Sequence, residues 1–108
     1  MKPAGSRRKG SAGEREIVEI LRARGIPARR VPLSGAMKET GFGGDVLADF
    51  GRGEKKLEVK RRGQGFARIY RWLEDAYAVA FRGDREEWIV VMRLEDLLEL
   101  RKETREGP

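Results

Sequence analysis

Two short runs that read as β-strands flank a Gly51-Arg52-Gly53 turn, and they constrain the fold more than any other feature of the chain. The first is Gly44-Asp45-Val46-Leu47-Ala48-Asp49-Phe50; the second is Lys56-Leu57-Glu58-Val59-Lys60. Strand residues alternate between faces, so Glu58 and Lys60 point the same way. An antiparallel hairpin through the glycines brings Asp45 close to that pair. Two carboxylates and an ammonium gathered at the end of a sheet suit a hard, oxygen-liganded cation such as Mg²⁺.

Composition narrows the chemistry around that hairpin. The chain has 108 residues, enough for one domain with a single core, and 39% of them are apolar, so dimerisation is a natural source of further burial. There is no Cys, hence no disulfide framework and no thiolate metal site. There is no His, which removes His-dependent triads, most zinc sites and any His general base. No stretch approaches the ~20 apolar residues of a membrane span, and Met1 to Gly5 lacks the apolar core of a signal peptide. The expected location is cytoplasmic, the host cytoplasm if the gene is viral, with no membrane partner.

The net charge is +6, and its distribution matters more than its size. Residues 1–30 hold nine basic and three acidic side chains, and residues 52–71 hold eight and two. Residues 31–51 and 72–108 are both net acidic. Positive charge concentrated in two segments suits a polyanion, and a basic chain with a candidate Mg²⁺ site is a candidate phosphodiester hydrolase.

Along the chain, residues 1–10 read as a flexible basic arm, residues 11–102 as the folded domain and residues 103–108 as a polar tail. Ser11 is placed to cap a helix, with Glu14 three residues on in the capping-box position. Ile17, Ile20, Leu21 and Arg24 share a face of that helix, and Gly25 ends it. Ala28 to Val31 is β-capable, and Leu33 to Gly43 is a loop. After the hairpin, a second helix is expected from Ala67 to Phe81, with Ile69, Trp72, Leu73, Ala76 and Ala80 inward. Glu87 to Met92 reads as a buried strand and Leu94 to Lys102 as a last helix. The expected order is αβββαβα, with the passage from residue 55 to 92 long enough for a right-handed crossover in a mixed sheet.

An Asp followed at an interval by Glu-x-Lys is the signature of the PD-(D/E)xK nuclease superfamily. Alone it is weak, since Asp45 could be a turn residue after Gly43-Gly44 and Glu58 and Lys60 a solvated strand face. The N-terminal stretch is more specific. Arg8-Lys9-Gly10-Ser11-Ala12-Gly13-Glu14-Arg15-Glu16, leading into an amphipathic helix, resembles the opening of the archaeal-type Holliday junction resolvases. The resemblance continues through Arg30, Ser34, Asp45, Glu58 and Lys60 in order, and covers roughly residues 7–62. The segment Phe66 to Leu73 is similar to virus-encoded relatives, and the loop from Ser34 to Asp45 is longer than archaeal members would suggest.

That resemblance implies a restriction-endonuclease-like α/β fold, a mixed sheet flanked by helices, and a metal-dependent endonuclease that resolves four-way DNA junctions as a homodimer. It implies a catalytic set of Glu14, Ser34, Asp45, Glu58 and Lys60. Metal would be held by Asp45, Glu58 and the backbone carbonyl of Val59, with Glu14 a further candidate ligand; the ion would be Mg²⁺, with Mn²⁺ as a substitute. Arg15 and Arg30 match its phosphate-contacting arginines. Arg8, Lys9, Arg61, Arg62, Arg68 and Arg71 read as further backbone-phosphate contacts, which set affinity without reading sequence. Tyr70 and Trp72 could stack on unpaired bases, although Trp72 falls in the core register of its helix. Two other readings stay open: a virus replication-and-repair nuclease acting on flaps or nicked duplex, and a non-catalytic DNA-binding module.

Overall fold

In a computed structural model, residues 4–31 and 45–105 are described, with side chains described for 12–31 and 46–103. Helix α1 (Ala4–Ala23) leads into strands β1 (Ala28–Arg30), β2 (Asp45–Asp49) and β3 (Glu54–Glu58). Helix α2 (Ala67–Leu73), strands β4 (Ala78–Phe81) and β5 (Ile89–Met92) and helix α3 (Leu94–Arg105) follow. The chain divides into two compact units, Met1–Gly63 and Gln64–Pro108. Helix, antiparallel strands, a second strand pair and further helices make a mixed α/β architecture of the restriction-endonuclease-like class.

The first unit is a helix on a three-stranded antiparallel sheet, ordered β1-β2-β3. Val18 and Leu21 of α1 are buried together with Ile26, Ala28, Val46 and Ala48. Val46 and Ala48, two residues apart, define the sheet face that α1 covers. The helix stops sharply because Gly25 adopts φ +76°, a conformation that favours glycine. Its N–H donates to the Arg22 carbonyl at 3.0 Å, and the Ile26 N–H donates to the Leu21 carbonyl at 2.9 Å. This is the paired-bond helix end in which an apolar residue beyond the glycine packs back on the last turn, and Ile26 and Leu21 are both buried.

The β2–β3 hairpin forms through Gly51-Arg52-Gly53 as the sequence predicts. The Asp49 carboxylate accepts the N–H of Gly51 at 2.7 Å and of Gly53 at 3.1 Å, which ties the turn. Both glycines have positive φ. Asp49 is thereby committed to the turn.

Helix α1 begins at Ala4, not at Ser11. Once the amphipathic part docks on the sheet, extending a helix backwards costs much less than nucleating one, and Arg7, Arg8 and Lys9 are good helix formers. Ser11 therefore lies within the helix, and Glu14 is not the partner of a capping box at that position.

In the second unit α2 precedes the antiparallel β4–β5 pair, with Phe81 opposite Ile89 and Ala78 opposite Met92. The helix expected to reach Phe81 ends at Leu73, and residues 78–81 form a strand, so the order is αβββαββα. The alanines at 76, 78 and 80 fit either periodicity, and tertiary pairing decides between them. Arg93 reinforces the choice: its guanidinium donates to the carbonyl of Leu73 at the end of α2, and to that of Ala76 at 3.1 Å. The expected crossover spans the division between the units, and within each unit every pairing among the described residues is antiparallel. Strand β5 is not buried as expected: Val90 is 62% exposed, and Trp88 and Ile89 are exposed beside it. Among the described residues, Leu73 and Leu98 are this unit's buried apolar side chains.

Candidate active site

The β2–β3 register sets Asp45 directly opposite Glu58 and Leu47 opposite Lys56. Directly opposed residues project to the same face of a sheet, with Cβ atoms ~5 Å apart. The Asp45 side chain lies outside the described residues, so the register is what ties it to Glu58. Strand β3 ends at Glu58, but Lys60 still returns to it: the Lys60 ammonium stands 3.1 Å from Glu58 Oε1, both side chains being well exposed. The pairing expected from alternation is therefore present.

Helix α1 reaches the same end of the sheet. A Cβ built on Gly13 would lie 3.4 Å from Arg61 Cβ and 3.5 Å from Val59 Cγ1. The helix therefore packs against the segment that continues from Glu58 at a spacing that an alanine would fill with ordinary contact, and Glu14 is the next residue of that turn. Glu14 occupies the same stripe as Val18 and Leu21, at helical spacing, and is only 1% exposed. Its Oε1 accepts the Nε–H of Arg30 at 3.0 Å, across from β1. Its Oε2 is buried with no hydrogen-bond partner among the described residues.

An unpartnered buried carboxyl oxygen is costly and rare. A hard cation takes such oxygens as ligands, and the donor types expected from the sequence (Glu14, Asp45, Glu58 and the Val59 carbonyl) are all oxygens of the kind Mg²⁺ takes; Asp45 stands opposite Glu58, while Glu14 belongs to the helix that covers the Val46 and Ala48 face. Among the described residues no three acidic side chains already cluster as a metal site.

The remaining sequence-derived candidates are placed less closely. Arg15, Arg61 and Arg62 are exposed, Arg15 on α1 and the other two just past Lys60. Ser34 lies outside the described residues, as do the side chains of Arg8 and Lys9. Arg68 and Arg71 belong to the second unit, where they line an open groove of about 500 Å³ with Gly65, Ala67, Ile69 and Trp72. Trp72, expected to pack in the core, is 47% exposed; its ring meets Phe81 at 6.1 Å and 60°. Tyr70 is exposed on the same short helix.

Sequence reading assigned no role to Arg29 and Glu54. Arg29 Nε and Nη2 donate to the two Glu54 carboxylate oxygens at 2.9 and 3.2 Å, bridging from β1 to β3. The hydrogen bond first, then the Coulombic attraction, holds Arg29 above its ordinary value, and the same hydrogen bond holds the Glu54 carboxyl below its own. The signal that finds them is the alternation of residues 54, 56 and 58 on one face of β3.

The architecture is mixed α/β, with Asp45 set opposite Glu58 and Lys60 paired to Glu58 at the end of the first unit's sheet. The family model described as archaeal Holliday junction resolvase (Hjc) matches residues 5–105, and the chain belongs to that family. Membership covers both units and carries nuclease activity on branched DNA junctions. No curated protein and no solved structure is significantly similar to the chain. Among the described residues no helix is long and apolar enough to cross a membrane.

Proposed function

We propose that the chain is a Mg²⁺-dependent, structure-selective endonuclease that resolves four-way DNA junctions by paired phosphodiester hydrolysis, acting as a homodimer in the cytoplasm. The observation that carries this reading is Glu14: a carboxyl buried in an apolar stripe, bound on one oxygen by Arg30 and, among the described residues, unpartnered on the other, in the helical turn against Val59 and Arg61. A structural carboxylate would have no reason to leave an oxygen unsatisfied.

The roles follow from residue chemistry. Asp45, Glu58 and the Val59 carbonyl would hold the ion, with Glu14 completing its shell or its water network. A bound divalent cation supplies Lewis acidity towards a phosphoryl oxygen and makes an adjacent water easier to deprotonate. Lys60 orients the attacking water or neutralises the phosphate, and its ion pair with Glu58 holds it beside the metal-binding acid. Ser34 would bond the scissile phosphate. Arg30 positions Glu14, and Arg15, Arg61 and Arg62 offer charge to the flanking backbone phosphates. Arg68 and Arg71, on a groove with a half-exposed Trp72, suit a distorted duplex where an aromatic ring can meet an unstacked base.

Symmetric incision of a four-way junction needs two sites related by a two-fold axis, which a homodimer provides. The exposed apolar side chains Trp88, Ile89, Val90 and Leu100 of the second unit are consistent with such an interface.

Incubation of the protein with a labelled four-way junction, a flap and a linear duplex, in Mg²⁺ or in EDTA, tests the proposal. Cleavage of the junction alone, abolished by EDTA, is the expected result. Cleavage confined to the flap would move the substrate to nicked or flapped duplex, and binding without cleavage under any divalent ion would remove the nuclease reading.

A further inference from the structure

We propose that Arg29 and Lys56 form a second phosphate-binding row on the Glu58 face of the sheet, and that Glu54 occupies Arg29 until a DNA backbone displaces it. The inference rests on the reading that this chain binds branched DNA, and adds the course of one arm beyond the site.

The register makes the row. Arg29 stands opposite Leu47, and Leu47 opposite Lys56, so the three lie abreast across the sheet. Alternation along β3 puts Glu54, Lys56 and Glu58 on this same face. The other face carries Ala28, Val46 and Ala48, all buried where α1 packs. Lys56 and Arg29 are exposed. From Lys56 to Glu58 the strand advances ~6.8 Å, which is also the axial rise of ~2 nucleotides in one DNA strand. A backbone engaged at Glu58 and Lys60 and running back along β3 therefore meets Lys56, with Arg29 beside it.

The Arg29–Glu54 contact is built to exchange. Arg29 presents two N–H groups to two carboxylate oxygens, the fork geometry with which a guanidinium also binds phosphate. Both side chains are about half exposed, and an exposed pair of this kind contributes little to stability. Replacing the carboxylate by a phosphate keeps the fork satisfied, frees Glu54 to water and releases a counterion from the DNA. Glu54 thus lowers affinity for any polyanion that cannot lie along β3, which favours a correctly seated arm over random contact.

Fluorescence anisotropy of a labelled four-way junction, with the full chain and its variants from about 50 to about 200 mM salt, tests this. Glu54→Gln should bind the junction several-fold more tightly and keep the wild-type slope of log affinity against log salt, because Arg29 meets the same phosphate in both proteins. Lys56→Gln should flatten that slope by about 0.9, and the gain from Glu54→Gln should vanish in the Arg29→Gln/Glu54→Gln double variant. If Glu54→Gln binds no more tightly than wild type and Lys56→Gln keeps the wild-type slope, the row is overturned while junction binding by the wild type stands. If the wild type binds no DNA at all, the row and the reading beneath it fall together. Thermal melts confirm that each variant is folded, and an unfolded Glu54→Gln protein would itself contradict an exposed, exchangeable pair.

Discussion

The two units spend their unusual residues in opposite ways. The first buries a carboxyl, Glu14, and leaves cations outside; the second buries few side chains and leaves Tyr70, Trp72, Tyr77, Trp88, Ile89 and Val90 exposed. A buried carboxyl costs stability and is retained where chemistry needs a poised oxygen. Exposed aromatic and branched apolar side chains are retained where another molecule covers or stacks on them. Under the proposed function, the contrast gives hydrolysis to the first unit, and partner or substrate contact to the second.

The largest expected effect falls on the first unit. Asp45→Ala or Glu58→Ala should lower junction cleavage by on the order of 10³-fold or more, because each removes a carboxylate proposed to hold the metal. Binding measured in Ca²⁺ should persist in both, since affinity rests chiefly on the basic residues. A mutant that still cuts within ~10-fold of wild type would break the assignment of chemistry to this unit.

Next in size is the Arg30–Glu14 pair. Arg30→Ala leaves Glu14 buried beside an empty space and should lower unfolding stability by about 2 kcal/mol, less than for a fully buried pair because Arg30 is part exposed. Glu14→Gln should cost less stability than Arg30→Ala while still removing cleavage. Urea denaturation together with junction cleavage separates the two effects, and equal loss of both in both variants would make Glu14 a structural residue.

The second unit should answer differently. Val90→Asp is expected to change unfolding stability by no more than ~0.5 kcal/mol, as at any exposed site, yet to shift the hydrodynamic mass towards one chain. An unchanged dimer mass would take β5 out of the interface and leave its exposed face to DNA.

The first unit was largely legible in the sequence, although the sequence read as one domain with a single core and not as two units. The hairpin was, because Gly51 and Gly53 bracket a turn between alternating runs and Asp49 stands where its carboxylate can tie it. The Glu58–Lys60 pairing followed from the period of a strand. The Arg8-to-Glu16 opening pointed to the right family. What was not legible depended on partners distant in the chain. Residues 76–80 carry alanines that fit helix and strand alike, and the decision came from pairing with β5 and from Arg93, seventeen residues beyond the Ala76 carbonyl that it binds. Glu14 fitted a capping box until the helix proved to start before Ser11; its burial against Arg30 needs the fold. Apolar periodicity also marked Trp72 and β5 as core, since a pattern records that a face is covered but not by what.

The smallest effect concerns the Arg29–Glu54 bridge. Glu54 is lowered by its partner, so its contribution is fully present above its unfolded value and is lost as pH falls through the folded one. Arg29 is raised, so its share is present below its unfolded value and is lost only as pH rises through a still more alkaline one. Stability from this pair should therefore be flat through neutrality, and the difference between wild type and Glu54→Gln in urea midpoint should shrink as pH falls below the glutamate range. A difference that grows on acidification would contradict the bridge.

The central claim, that Glu14, Asp45, Glu58 and Lys60 form one Mg²⁺-dependent junction-cutting site, is tested most directly by labelling both opposed strands of a single synthetic four-way junction. With wild type and Mg²⁺, paired nicks at symmetric positions in the two strands are predicted, with none in EDTA and none from an Asp45→Ala protein that still binds the junction. Symmetric nicks from Asp45→Ala at the wild-type rate, or no nicks from the wild type in any divalent ion, would contradict it.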